Sequence, residues 1–209
     1  MGNGTVREAR LGFAARFLRG FAWVVVHIVQ RPKLYGLRPS LDAPAIFVCR
    51  HVGLMDPVIL MVEYFGKMIR PLVAKDYVES NGFTRRFYRI AQCIPIDRRE
   101  ASRQWLEDSL EALGKGESVI IFPEGTRNKS GKGLLPFHNG AALLAARSGA
   151  RVVPVYNAVW HFPHRYRLAI GGSVQLDPLP ERGETPSWLR EQTAKIRAAV
   201  EELGHKIEE

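Results

Sequence analysis

Four apolar runs, each closed at once by a polar motif, limit what this chain can fold into more than any other feature. Residues 45–49 are followed by Arg50-His51, residues 92–96 by Asp97-Arg98-Arg99, residues 118–122 by Pro123-Glu124-Gly125-Thr126-Arg127, and residues 152–156 by Asn157. Runs this short and this continuously apolar read as buried strands. Pro95 and Pro154 weaken two of them, because proline cannot donate to a ladder. Helical patterns separate the runs, over residues 57–68, 100–113 and 139–148. Strands alternating with helices predict an α/β fold: a mixed, largely parallel sheet flanked by helices. In such sheets the ligand crevice lies beyond the carboxyl ends of the strands. His51, Arg98, Glu124 and Arg127 all fall at such ends, so the topology is expected to gather them.

A chain of 209 residues fits one domain with a substantial core. The expected division is an N-terminal basic helical segment, residues 1–40, and a single α/β domain, residues 41–209. The net charge of +9 suggests an anionic partner: nucleic acid, a membrane surface or a phosphorylated substrate. No nucleic-acid motif supports the first. Cys49 and Cys93 both lie in apolar runs and read as reduced core thiols, not as a disulfide or metal site. The longest apolar stretch, residues 21–29, is far short of a membrane span, and no small-residue cleavage site follows it.

Residues 11–31 read as an amphipathic helix. Leu11, Phe13, Phe17, Leu18, Phe21, Val24, Val25, Ile28 and Val29 share one broad face, with Arg16, Arg19, His27 and Gln30 opposite. That pattern suits a helix lying in a membrane interface, with Arg7, Arg10, Arg31, Lys33 and Arg38 drawn to anionic lipid heads. The plainer alternative is a helix packed on the core. A second cationic stretch holds Lys67, Arg70, Lys75, Arg85, Arg86 and Arg89, interleaved with Phe83, Phe87 and Tyr88. It is either a solvated face or a landing site for an anionic donor such as coenzyme A or an acidic carrier protein. Residues 165–176 read as a hairpin around Gly171-Gly172, and residues 187–207 as a charged amphipathic helix burying Trp188, Ile196, Val200 and Leu203.

Two short stretches carry chemistry. His51 precedes Asp56 by five residues, on a strand-to-helix turn where the two side chains can meet. Asp56-Pro57 reads as a helix start, with Asp56 at the N-cap. A carboxylate that orients an imidazole leaves the far ring nitrogen able to take a proton. In residues 122–127, Gly125 allows close backbone approach, Arg127 can fork onto phosphate oxygens and Thr126 adds a hydroxyl. The competing reading is a strand-end turn with a surface ion pair, and Arg98, after Ile96-Asp97, has the same two readings.

Taken together, these residues resemble the 1-acylglycerol-3-phosphate (lysophosphatidic acid) acyltransferase family. His51 and Asp56 match its His-x4-Asp motif, residues 94–98 the motif ending in Ile-Asp-Arg, and residues 122–127 its Phe-Pro-Glu-Gly-Thr-Arg motif. Val153-Pro154-Val155 matches its apolar-proline motif. Order and intervals fit over residues 40–160, and residues 131–140 also resemble the segment after the third motif. The chain departs at Arg50, where the family usually has Asn, and at Gly53, where Ser is common; both positions would border the reacting hydroxyl. The resemblance implies transfer of a fatty acyl chain from acyl-CoA or acyl carrier protein to the hydroxyl of a lysophospholipid, giving phosphatidic acid. His51 would be the general base and Asp56 its orienting acid, with no acyl-enzyme. Arg98, Glu124, Gly125, Thr126 and Arg127 would hold the acceptor head group. No cofactor or metal is implied, and the thioester is a co-substrate. The expected setting is peripheral or monotopic, on the cytoplasmic face of a bacterial inner membrane. Alternatives are another acceptor, such as a lyso-aminolipid, or a non-catalytic lipid-binding protein with a vestigial site. A hydrolase is a further one, although no nucleophile-elbow motif is present.

Overall fold

The four runs become strands of one seven-stranded sheet in the computed structural model of the chain, which describes residues 13–97, 103–159 and 164–208. They are β2 (Ala45–Cys49), β4 (Ile94–Ile96), β5 (Ser118–Ile121) and β6 (Arg151–Asn157). Three more strands complete the sheet: β1 (Lys33–Gly36), β3 (Ile69–Ala74) and β7 (Arg167–Ile170). The order is β1-β7-β6-β2-β5-β3-β4, parallel throughout except where β6 meets β7. β1 lies within the N-terminal segment yet pairs with β7, so that segment shares the sheet.

Helices cover both faces: α1 (Phe13–Val29) and α2 (Asp56–Glu63) on one, α5 (Gln104–Gly114), α6 (Gly140–Ser148) and α7 (Pro186–Glu208) on the other. β2 explains why its run is continuously apolar. Ala45, Phe47 and Cys49 point to the α1–α2 side, while Ile46 and Val48 point to the α5–α6 side, so every residue is buried. Two short helices, α3 (Lys75–Val78) and α4 (Gly82–Ile90), stand between β3 and β4.

Both suspect prolines sit where the ladder does not need a donor. Pro95 is on the edge strand β4. Pro154 lies just outside the β7 ladder, whose paired residues begin at Val155, and its carbonyl accepts from Gly171 N–H at 3.0 Å. The expected hairpin at 165–176 is not formed. β7 runs antiparallel along β6, and Val174 bridges Val152 one residue out of step with that register, so Gly171-Gly172 mark a bulge instead of a turn.

α1 is amphipathic with its sides reversed relative to an ordinary surface helix. Ala22 and Val26 pack into the core that α2 shares, and two polar residues, Arg19 and, just past the helix, Gln30, are buried with them. The Arg19 guanidinium donates to the carbonyls of Lys67 and Ile69, the latter at 3.1 Å, and burial lowers its pKa to about 10. It is therefore an internal clamp on the start of β3, not a hand reaching for lipid heads. The large apolar side chains face outward: Phe13 is 88% exposed, Phe17 71%, Phe21 63% and Ile28 71%. No helix among the described residues is long and apolar enough to cross a membrane.

Candidate active site

β2 and β5 are adjacent and in register, Ile46 with Val119 and Val48 with Ile121, so the chains leaving their carboxyl ends emerge side by side. That adjacency brings His51 to residues 122–127 across 73 positions of sequence. The His51 ring stacks on Phe122, centroids 4.1 Å apart and planes 29° from parallel. Its backbone is held from both sides. His51 N–H donates to Glu124 Oε1 at 3.0 Å, and its carbonyl accepts from Asn128 N–H at 2.7 Å.

His51 Nδ1–H donates to Asp56 Oδ2 at 2.9 Å. The same oxygen accepts from Val52 N–H at 2.8 Å and Gly53 N–H at 2.9 Å, so the turn wraps around the carboxylate. Asp56 is thus not the N-cap of α2. Met55 is the cap residue, with no side-chain cap bond, and Asp56 stands first in the helix, where the backbone delivers its carboxylate into the turn. Asp56 is fully buried, and its second oxygen accepts from Tyr166 Oη at 2.9 Å. Burial, then the neighbouring Asp56, drives the Tyr166 phenol well above its ordinary range, so it stays a donor. Tyr166 is tied to the far end of α1 as well. Its N–H donates to Gln30 O at 2.8 Å and its carbonyl accepts from Lys33 N–H at 2.7 Å.

His51, Gly125, Thr126 and Arg127 line one cavity of about 950 Å³, joined there by Lys129 and His138. The rest of its lining is largely apolar, drawn mostly from α1, α2, β3 and α4. Gly125 has φ of +65°, which favours glycine, and a Cβ there would crowd the His138 ring at 3.1 Å. Glu124 is placed behind this wall. Its Oε2 accepts from Leu135 N–H at 3.0 Å while Oε1 holds His51, which braces two turns against each other. Burial raises its pKa, against the pull of those two N–H bonds. Arg98 lies outside the described residues. Cys93 borders the cavity as a thiol pushed up to about 12 by burial, and Cys49 is raised well above its usual range for the same reason; neither is poised as a nucleophile.

Arg50 does not border this cavity. It is fully buried, donating to Asn157 O at 3.1 Å and Gly131 O at 2.6 Å, with its guanidinium 4.5 Å from the Tyr156 ring centroid. Asn157 Nδ2–H in turn donates to Arg50 O at 2.7 Å. The residue is a tie between β6 and the loop after residue 127. Gly53 does border the dyad: a Cβ there would sit 3.2 Å from Asp56 Oδ1. Sequence reasoning missed Tyr166, which lies in a polar stretch with no motif, and missed Asn128 because its contribution is a backbone N–H. His138 lies within the 131–140 segment without a motif role of its own, and Lys129 lies between that segment and residues 122–127.

Comparison with known proteins follows the same residues. The acyltransferase family model matches residues 25–158, from α1 through β6 and including the whole dyad and its turn. This chain belongs to the acyltransferase family. A 1-acyl-sn-glycerol-3-phosphate acyltransferase of Pseudomonas aeruginosa is 33% identical over 211 residues, covering 96% of this chain and 80% of that protein. A chloroplastic 1-acyl-sn-glycerol-3-phosphate acyltransferase of Arabidopsis thaliana is 34% identical over 119 residues, covering 56% of this chain. The chain spans 39% and 32% of the length of its Brassica napus and Arabidopsis thaliana relatives. The crystal structure of the 1-acyl-sn-glycerophosphate (LPA) acyltransferase of Thermotoga maritima shares the fold. Its TM-score is 0.64 at 22% identity, over 91% of this chain and 79% of that one.

Proposed function

We propose that this acyltransferase moves a fatty acyl chain from a thioester to the free hydroxyl of 1-acylglycerol-3-phosphate, giving phosphatidic acid. The observation that carries the reading is the His51–Asp56 contact at 2.9 Å, with His51 lining a largely apolar cavity that also holds Arg127 and Lys129. Asp56 fixes the Nδ1–H tautomer, leaving Nε2 to act as base. Nε2 takes the proton of the lysolipid hydroxyl as its oxygen attacks the thioester carbon. Collapse of the tetrahedral intermediate breaks the C–S bond, and the thiolate leaves with the proton held on His51. Atoms balance without an acyl-enzyme, a metal or a cofactor. Arg127, with Lys129 beside it, would bind the phosphate as a charge-assisted pair, and Gly125 lets that phosphate approach the backbone. Glu124 acts in this scheme by holding the His51 turn.

The donor is acyl-CoA or an acyl carrier protein. The protein sits on the cytoplasmic leaflet with the exposed apolar side of α1 in the interface; its two free cysteines fit a reducing compartment. Arg50, where the chain departs from the usual Asn, points away from the cavity, which favours the phosphate acceptor over a lyso-aminolipid. The deciding test is transfer from labelled acyl thioester to lysophosphatidic acid by purified His51→Ala protein. Transfer abolished with the fold and vesicle binding intact supports the reading; turnover near that of the unmodified protein refutes it. Arg127→Ala should raise the acceptor KM with little change in kcat, and unchanged acceptor saturation would remove the phosphate role.

A further inference from the structure

We infer that α4 is a second membrane-seating element, which inserts its apolar stripe into an anionic phospholipid leaflet beside α1. The inference rests on the reading of α1 as an interface helix. None of the nine residues of α4 is buried, so the core does not hold this helix. Its order is local. Asn81 Oδ1 accepts from Thr84 N–H at 2.9 Å and Thr84 Oγ1 accepts from Asn81 N–H at 3.1 Å, a reciprocal cap. At about 100° per residue, Phe83, Phe87 and Ile90 form one stripe, with Arg86 flanking it and Arg85 and Arg89 on the opposite arc. Phe83 is 79% exposed and Phe87 39%. All three arginines are exposed, and no carboxylate among the described residues pairs with them. By contrast, Arg70 and Lys75 of the same cationic stretch are paired with Glu117 and Asp97.

A solvated basic face accounts for the arginines but not for two outward phenylalanines. A leaflet accounts for both, since the rings enter the acyl boundary and the guanidiniums stay at the phosphates. Continuity with the cavity points the same way. Phe87 lines it from one side and Phe21 of α1 from the other, and both rings are also exposed, so the cavity mouth opens between two outward apolar edges. Seating both helices places that mouth against the leaflet that holds the acceptor.

The test is co-sedimentation of the full chain with phosphatidylcholine vesicles, with and without phosphatidylglycerol. The variants are R85Q/R86Q/R89Q, Phe83→Ser and, on α1, Phe17→Ser. The triple variant should bind anionic vesicles about fivefold more weakly per arginine removed and bind neutral vesicles unchanged. Phe83→Ser should bind both more weakly. All three should melt like the unmodified protein, since the altered side chains are exposed; if the triple variant melts lower, Phe83→Ser decides. Unmodified binding by both α4 variants while Phe17→Ser binds poorly overturns this inference and leaves the α1 reading standing. Unmodified binding by all three overturns both. If the triple variant binds vesicles normally but shows a raised donor KM, the face belongs to an anionic donor and the inference is wrong.

Discussion

Replacing Tyr166 by Phe keeps the ring in its buried site and removes one oxygen. That oxygen is the donor to Asp56 Oδ1, at 2.9 Å in a site closed to water. The other three donors to Asp56 all converge on Oδ2, so Oδ1 loses the hydrogen bond that faces it. A hydrogen bond to a charged group contributes about 1.5–3 kcal/mol, and taking about 2 kcal/mol, a chain of this size should melt about 4–8 °C lower. The imidazole keeps its own contact to Asp56, so turnover should fall about tenfold, or about 1.4 kcal/mol on the barrier, instead of vanishing. The pH dependence gives an independent check. The Tyr166 pKa is raised in the folded state, so the phenol contributes stability that is complete below about pH 10 and is lost as alkali ionises the unfolded chain first. Tyr166→Phe lacks that proton. Its stability deficit should therefore shrink above about pH 10, by up to about 1.4 kcal/mol per pH unit. Thermal melts across pH and acyl-transfer rates measure all three. A variant that melts and turns over like the parent, at neutral and alkaline pH alike, would refute the assignment of Tyr166 as the support of Asp56.

Glu124→Gln sets an amide N–H₂ against one of two backbone N–H donors. It should cost about 1–3 kcal/mol of stability and lower kcat more than it alters acceptor KM, read from melts and steady-state rates. Arg50→Met empties a buried tie and orphans the carbonyls of Asn157 and Gly131. A loss of about 2–4 kcal/mol in urea unfolding is expected, with acceptor preference unchanged across a lysolipid panel. Phe17→Ser removes an outward ring that is 71% exposed, and should weaken vesicle binding roughly 30-fold, or about 2 kcal/mol, with the melt unaltered.

β2, β5 and β6 were legible because strands buried on both faces must be apolar at every position. The turn chemistry followed from where those runs stop. β3 was hidden because Arg70 and Pro71 interrupt its pattern, and only the tertiary partner Glu117 makes Arg70 tolerable there. α1 shows a different limit. A helical wheel separates apolar from polar residues but does not say which side meets the protein, and here Arg19 goes inward because backbone carbonyls await its guanidinium. The His51–Asp56 pair could be read from a spacing of five on a turn. Tyr166 could not: its bond to Asp56 spans 110 positions and depends on β7 lying beyond β6. Arg50 turns inward because Tyr156 and two carbonyls offer a buried site that spacing alone does not reveal.

The hydrogen bonds from Tyr166 to Gln30 and Lys33 bear on any attempt to make this protein easier to handle. Trimming away α1 together with the residues that follow it through Lys33 would remove both backbone bonds that fix the tyrosine that steadies the acid, so a shortened protein would come out of solution trials with a slackened His51–Asp56 turn. Added detergent would not restore that lost fastening. The segment that follows α1 and the His51–Asp56 turn are, on this wiring, one piece of machinery.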